Sequence, residues 1–322
     1  MSSRLLGGAA AWPRAARAQQ QKGPTRLAFF PLGSPSKAYD RSLVEAFQQG
    51  LRRVGLVEGQ NIDFDVVWIG GGDPDQAVGG ALRRGAELLI PCRSSASVAA
   101  KRQTSTVPIV FLSVGDPIGM GLVESLPRPG QNATGFSDIL GDLSGKLVDL
   151  ARELIRPQTT VGYLWHTAWP DGRNRYQATQ QAAQAAGMKL DEKGVADIAE
   201  LGGALTEIKQ SGSTTLIVQP SPFTFVYRER ILEAARRAGV ATIYPLPISA
   251  SEGSLIGFGV EYVHIYGRAP FYVDRILKGS KPADLPVEQP TKIELIINLK
   301  VAKALGIEIP LSLLIRADEL IE

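Results

Sequence analysis

From Arg26 onward, short apolar runs alternate with stretches of helical periodicity. Leu27 to Phe30 reads as a strand, closed by the turn-rich Pro31-Leu32-Gly33-Ser34-Pro35-Ser36. Leu43, Val44, Phe47, Leu51 and Val54 then recur at helical spacing, with Gly55 as a left-handed C-cap. Ile62 to Trp68 is the next strand, and Gly70-Gly71-Gly72-Asp73-Pro74 leads into a helix with Ala77, Val78, Ala81 and Leu82 on its apolar face. Glu87 to Pro91 is a third strand, Ser95 to Gln103 a helix, and Ile109 to Leu112 a fourth strand. That strand breaks at Gly115, where Asp116 as N-cap and Pro117 at the first position predict a new helix. After it, Pro127, Pro129 and Gly130 stop regular structure, and Ala133 to Ser137 reads as a short strand crossing to a second lobe.

The succession repeats beyond the crossing. Helical spacing covers Leu147 to Leu154, Arg175 to Ala186, Leu201 to Ile208 and Val226 to Ala238, while Val161 to Trp165, Thr215 to Gln219 and Thr242 to Tyr244 read as strands. Alternating strands and helices imply parallel sheets with right-handed crossovers. The fold class is therefore α/β, with two doubly wound parallel-sheet lobes. Ser254 to Gly259 reads as a strand, Ile265 to Leu277 as a helix, Lys281 to Pro290 as an extended Pro-rich segment and Leu299 to Leu305 as a last helix. About 75 residues are too few for a third such domain, so they are expected to return across both lobes as several crossover strands. Residues 24–135 plus about 250–280 would form one lobe, and 136–249 plus about 281–322 the other. Such a chain can bend at a hinge.

The first residues differ from the rest. Arg4 precedes an apolar and small run from Leu5 to Trp12, and Ala16-Arg17-Ala18 is an A-x-A cleavage pattern. Residues 1–18 thus read as an export signal cut after Ala18. Cleavage removes Arg4, Arg14 and Arg17, three of the 35 basic residues, and leaves parity with the 32 acidic ones. With neutrality and no Lys/Arg-rich run interleaved with aromatics, no nucleic-acid partner is expected. The single Cys92 excludes an internal disulfide.

Catalytic motifs are missing. There is no G-x-x-x-x-G-K-[ST] loop and no G-x-S-x-G, and Gly70-Gly71-Gly72 lacks dinucleotide-fingerprint spacing. Two histidines and one cysteine cannot build a His-rich metal site, so no cofactor is expected. The chain offers instead polar and aromatic residues at successive strand exits: Ser34, then Arg93, Ser94 and Ser95, then Ser113 to Asp116, and in the second lobe Trp165 and His166, Ser221 and Phe223, and Tyr244. Facing rims would enclose a small molecule. Each has a plainer reading too: Arg93 as a solvated loop residue rather than a carboxylate partner, Trp165 as core, His166 as structural, Asp116 as a helix cap, and Phe223 and Tyr227 as packing.

The chain resembles the family of ABC-transporter solute-binding proteins that includes tryptophan- and tyrosine-binding lipoproteins, with a type 1 periplasmic-binding fold. The carriers are Ala46 to Leu51 with Gly55, Glu58-Gly59-Gln60-Asn61, Thr104 to Phe111, Gly115-Asp116-Pro117, Gly121 to Leu126 and Pro129 to Gly135. The most specific run is Tyr272 to Gly279, continuing through Pro282 to Pro290 and on to Ala317-Asp318-Glu319. The resemblance implies a periplasmic receptor that closes as a hinge on a small organic solute and delivers it to an ABC permease with a cytoplasmic ATPase; a monomer is expected. It maps ligand contacts to Ser34, Ser94, Ser95, Asp116 and Ser137. The exit loops Pro91-Cys92-Arg93-Ser94-Ser95 and Trp165-His166-Thr167-Ala168-Trp169 depart from the family pattern, pointing toward a carboxylate on a flat or apolar body. Two other classes stay open: a hydrolase or isomerase on the same frame using Cys92, and a ligand-sensing partner protein.

Overall fold

The computed structural model describes residues 23–322 apart from 71, 139–142, 156 and 170, so the expected export signal lies outside the described residues. The apolar runs assemble into two sheets. β1 (Thr25–Phe30), β2 (Ile62–Val66), β3 (Leu88–Pro91), β4 (Ile109–Val114) and β5 (Ala133–Ser137) form a parallel sheet in the order β2-β1-β3-β4-β5. β6 (Thr160–His166), β7 (Lys189–Val195), β8 (Thr215–Val218), β9 (Ala241–Tyr244), β10 (Ile256–Val260), β11 (Ile293–Asn298) and β12 (Glu319–Ile321) form the second, ordered β12-β11-β10-β9-β8-β6-β7. Its pairs are parallel except β10 with β11.

Alternation along β1 explains why both faces are covered. Leu27 and Phe29 enter one core, where the Phe29 ring stacks on Phe47 of the helix Ala38–Arg53 at 4.7 Å; Ala28 and Phe30 enter another with Val78, Ala99 and Ala100. In the second sheet, Val161, Tyr163 and Trp165 share one face and Leu164 the other.

The chain changes sheet after β5, after β10 and before β11. The helices Tyr262–Arg268 and Pro270–Leu277 pack on the helix Ala38–Arg53 of the first sheet. The division of the last third differs from the expectation. β10 pairs in the second sheet, whereas Lys281 to Pro290 runs along the free edge of β5: Thr134 Oγ1 donates to Leu285 O at 2.6 Å, and Glu288 N to Gly135 O at 3.0 Å. An edge strand leaves backbone groups unpaired, and this extended run supplies their partners.

The helix expected from Pro117 is also corrected. Residues 117–121 form turns, since Gly115, Gly119 and Gly121 oppose helix propagation. Asp116 still caps, accepting from Gly119 N at 2.8 Å, but it is exposed.

Candidate functional site

In an open α/β sheet, ligands sit beyond the strand ends where the winding direction reverses. In the first sheet that point lies between β1 and β3, and in the second between β6 and β8. Both open onto one cavity of about 210 Å³. Pro31, Leu32, Ile69, Cys92 and Ser95 line it from the first sheet, and His166, Pro222, Phe223, Val226 and Tyr227 from the second. The wall on the second side is flat, because the His166 and Phe223 rings stack at 4.5 Å and 14°. Ser221 holds Phe223 in place: it caps the short helix Pro222–Val226 by exchanging hydrogen bonds with Thr224, a capping box. Burial keeps the His166 imidazole below its usual range, and pushes the Cys92 thiol up to about 12.

Beside this apolar cavity lies a polar cell of about 30 Å³, lined by Arg93, Ser94, Ser113, Gly115, Asp138, Trp169, Arg175 and Pro220 to Pro222. Pro222 belongs to both linings, so the two are neighbours. Among the described residues, only Arg93 (φ 70°) and Ser113 (φ 57°) are non-glycines in the left-handed region. Such strain clusters at ligand sites. Ser113 arrives there as an extra residue in β4, where the register with β5 shifts between Leu112 and Val114. Its Oγ is buried without a hydrogen-bond partner, as are Arg93 Nε and Arg175 Nη1.

Arg93 is held from several sides. Nη1 donates to Asp138 Oδ2 and to Tyr262 OH, each at 3.2 Å, and Tyr262 OH donates to the same carboxylate at 2.8 Å. The guanidinium lies over the Tyr262 ring at 4.5 Å and the Phe225 ring at 5.2 Å. Arg175 comes from the first turn of the helix Gly172–Ala185. Its Nε donates to Asp171 Oδ2 at 2.5 Å and its guanidinium stacks on Trp169 at 5.1 Å. It reaches across to the first sheet, since a Cβ on Gly115 would stand 2.6 Å from Arg175 Nη2. Glycine there is what lets the arginine in.

Of the residues expected at the site, Arg93 and Ser94 line the polar cell, and Ser95, His166 and Phe223 line the apolar cavity. Tyr244 lines a smaller recess of about 20 Å³ behind Arg93, with its hydroxyl donated to Thr224 O at 2.5 Å. Four residues lie apart from these linings. Ser34 Oγ pairs with Ser36 Oγ at 2.8 Å, and Asp116 is spent on its turn. Ser137 is buried against Glu288 O. Trp165 is core: it stacks on Tyr176 at 5.4 Å and donates Nε1 to Glu192 at 2.6 Å. Sequence reasoning missed Arg175, Asp138 and Tyr262. The Gly115 opposite Arg175 was the one available signal.

A second contact joins the sheets. Arg228, fully buried, forms an ion pair with Asp40 at 3.0 Å across the gap and donates Nε to Glu252 at 2.8 Å. Beside it, Lys37 Nζ donates to Val226 O at 2.6 Å. Among the described residues, no cluster of His, Cys, Asp or Glu could hold a metal ion, and no helix is long and apolar enough to cross a membrane.

Comparison with known proteins matches these features to one family. A tyrosine-binding protein of Clostridioides difficile is 26% identical over 228 residues, 69% of this chain and 64% of that protein's length. A conserved domain protein from Vibrio cholerae superposes with a TM-score of 0.84 at 25% identity, covering 93% of this chain and all (100%) of that one. A domain from Streptococcus pneumoniae, solved in complex with L-Trp, gives a TM-score of 0.80 at 22% identity, again over 93% of this chain and 100% of that one. The fold is that of type 1 periplasmic-binding proteins. The model of the ABC transporter substrate binding protein family matches residues 37–321, nearly all of the two-sheet frame, and the chain belongs to that family.

Proposed function

We propose that this chain is the extracytoplasmic solute receptor of an ABC importer, capturing a small organic solute between two lobes and passing it to a membrane permease with a cytoplasmic ATPase. The observation that carries this reading is the cavity of about 210 Å³ built from the switch points of both sheets. A solute touching both rims makes its full set of contacts only when the lobes are together, so its binding shifts the population toward closure. Arg93, Ser94, Ser95, His166 and Phe223, with Ser113 and Arg175, form the contacting set. Residues 1–18 direct export and are removed after Ala18, and the mature protein acts as a monomer. The relatives described as binding tyrosine and L-Trp support a solute of amino-acid size. Binding rather than catalysis is favoured by Cys92, because a buried thiol pushed up to about 12 supplies almost no thiolate at neutral pH.

Small-angle scattering tests the mechanism. The mature chain from Gln19 onward should become more compact, or stay compact while losing its open fraction, when an aromatic amino acid or aryl carboxylate that binds by calorimetry is added. A profile that expands, or oligomerises in place of closing, would overturn it.

A further inference from the structure

The geometry points to an arylalkanoate as the ligand, an organic carboxylate held by Arg175, Ser113 and Arg93, with its flat body in the apolar cavity and no ammonium beside the carboxylate. This assignment rests on the receptor reading above and narrows it. Three buried polar atoms without partners, Arg175 Nη1, Arg93 Nε and Ser113 Oγ, belong to residues lining one cell of about 30 Å³. All three can donate hydrogen bonds. A cell of that volume accommodates about two water-sized groups, which matches the two oxygens of a carboxylate. Arg93 and Ser113, two of the three, carry the left-handed backbone strain that clusters at ligand sites.

An α-ammonium would meet the opposite conditions. The carboxylate lining the cell already faces a cation, since Asp138 accepts from Arg93 and Tyr262, and Asp171, outside the lining, accepts from Arg175. A third cation beside two guanidiniums would be repelled without a carboxylate of its own. Asp116, exposed on the same rim, is engaged with Gly119 N and lies outside both linings. The body of the ligand is set by the adjoining cavity, whose walls are Pro31, Leu32, Ile69 and the stacked His166 and Phe223.

Calorimetry on the full chain tests this with matched sets: 3-phenylpropanoate, L-phenylalanine and 3-phenylpropanamide; 3-(4-hydroxyphenyl)propanoate and L-tyrosine; indole-3-propanoate and L-tryptophan. At least one acid should bind roughly tenfold or more tightly than its amino acid, and 3-phenylpropanamide should bind more weakly than 3-phenylpropanoate. Arg175→Gln should weaken the acid by roughly tenfold to a hundredfold, as loss of a charged hydrogen bond does. Arg175→Lys should recover only part of that, lacking the planar fork. Both variants are compared at equal folded fraction by circular dichroism, and Ser113→Ala gives an independent, smaller loss should the Arg175 variants not fold. Tighter binding of the amino acids, with Arg175→Gln unaffected, would overturn the carboxylate assignment and leave the receptor reading standing. Absence of binding by every compound would overturn it as well, and a ligand of other chemistry that still compacts the protein would then preserve the receptor reading alone.

Discussion

Arg228 and Arg175 both carry a guanidinium from the second sheet toward the first, and their surroundings differ in counter-charge. Arg228 sits between two carboxylates, Asp40 across the gap and Glu252 on its own side, with the Tyr39 and Phe225 rings at 5.6 and 5.0 Å. It is wholly buried and borders neither the polar cell nor the apolar cavity. Arg175 has one carboxylate, a turn away on its own chain, and keeps Nη1 without a partner at the edge of the polar cell. One arginine acts as a strut between the lobes. Arg228 Nη2 is also buried without a partner, but it faces neither cavity, whereas the unpartnered Nη1 of Arg175 belongs to a residue lining the polar cell, which is where a ligand site needs a donor.

Removing the strut should have the largest effect. Arg228→Met leaves Asp40 buried without its cation, at a cost of about 3–5 kcal/mol, read as a lower midpoint in urea unfolding. Adding Asp40→Asn should restore part of the loss, because it removes the fully buried unpaired charge and leaves only the part-exposed Glu252 without its cation; no recovery would mean that Arg228 acts through packing alone. At the polar cell the expected sign is reversed. Ser113→Gly relieves left-handed strain of about 1–2 kcal/mol against about 0.5–1 kcal/mol of added chain entropy. The variant should therefore unfold at slightly higher denaturant while binding its ligand less well. A loss of stability would argue against stored strain there.

The smallest effect is at the apolar wall. Burial lowers the folded-state pKa of His166 below its usual 6.5, so as pH falls the unfolded chain takes up this proton first. The stability contributed by neutral His166 is complete above pH 6.5 and is lost as pH drops toward the folded-state value. The melting temperature of His166→Phe should therefore fall less than that of the wild type over this interval. Parallel pH profiles would place the imidazole in water rather than against Phe223.

Much of this architecture is a local property of the chain. The apolar runs and their helical intervals determined the strands from β1 to β6, β8, β9 and β10, and the parallel doubly wound pattern followed from their alternation. Strands with little apolar content escaped that logic. β7 reads Lys-Leu-Asp-Glu-Lys-Gly-Val and lies at a sheet edge, where charged residues are tolerated on exposed positions. The apolar β11, Ile-Glu-Leu-Ile-Ile-Asn, and the three-residue β12 were not foreseen either, and are held by pairing with β10 and with each other.

The rim of the site was equally legible as a set of positions, and its membership was decided by the tertiary structure. Trp165 and His166 are neighbours in sequence, yet a strand sends adjacent side chains to opposite faces, so one became core and the other the cavity wall. Ser34, Asp116 and Ser137 found backbone or hydroxyl partners nearby and were withdrawn from the cleft. Arg93 was visible from its place after β3, but its partners Asp138 and Tyr262 stand 45 and 169 residues away. Backbone propensity and hydrophobic period act over a few residues, whereas the charge balance around a guanidinium depends on which distant elements the crossings between sheets bring beside it. The sequence by itself determined the frame, the family and the candidate rims; the pairing of Arg228 and the spare donors of Arg175 were decided only when the two sheets met.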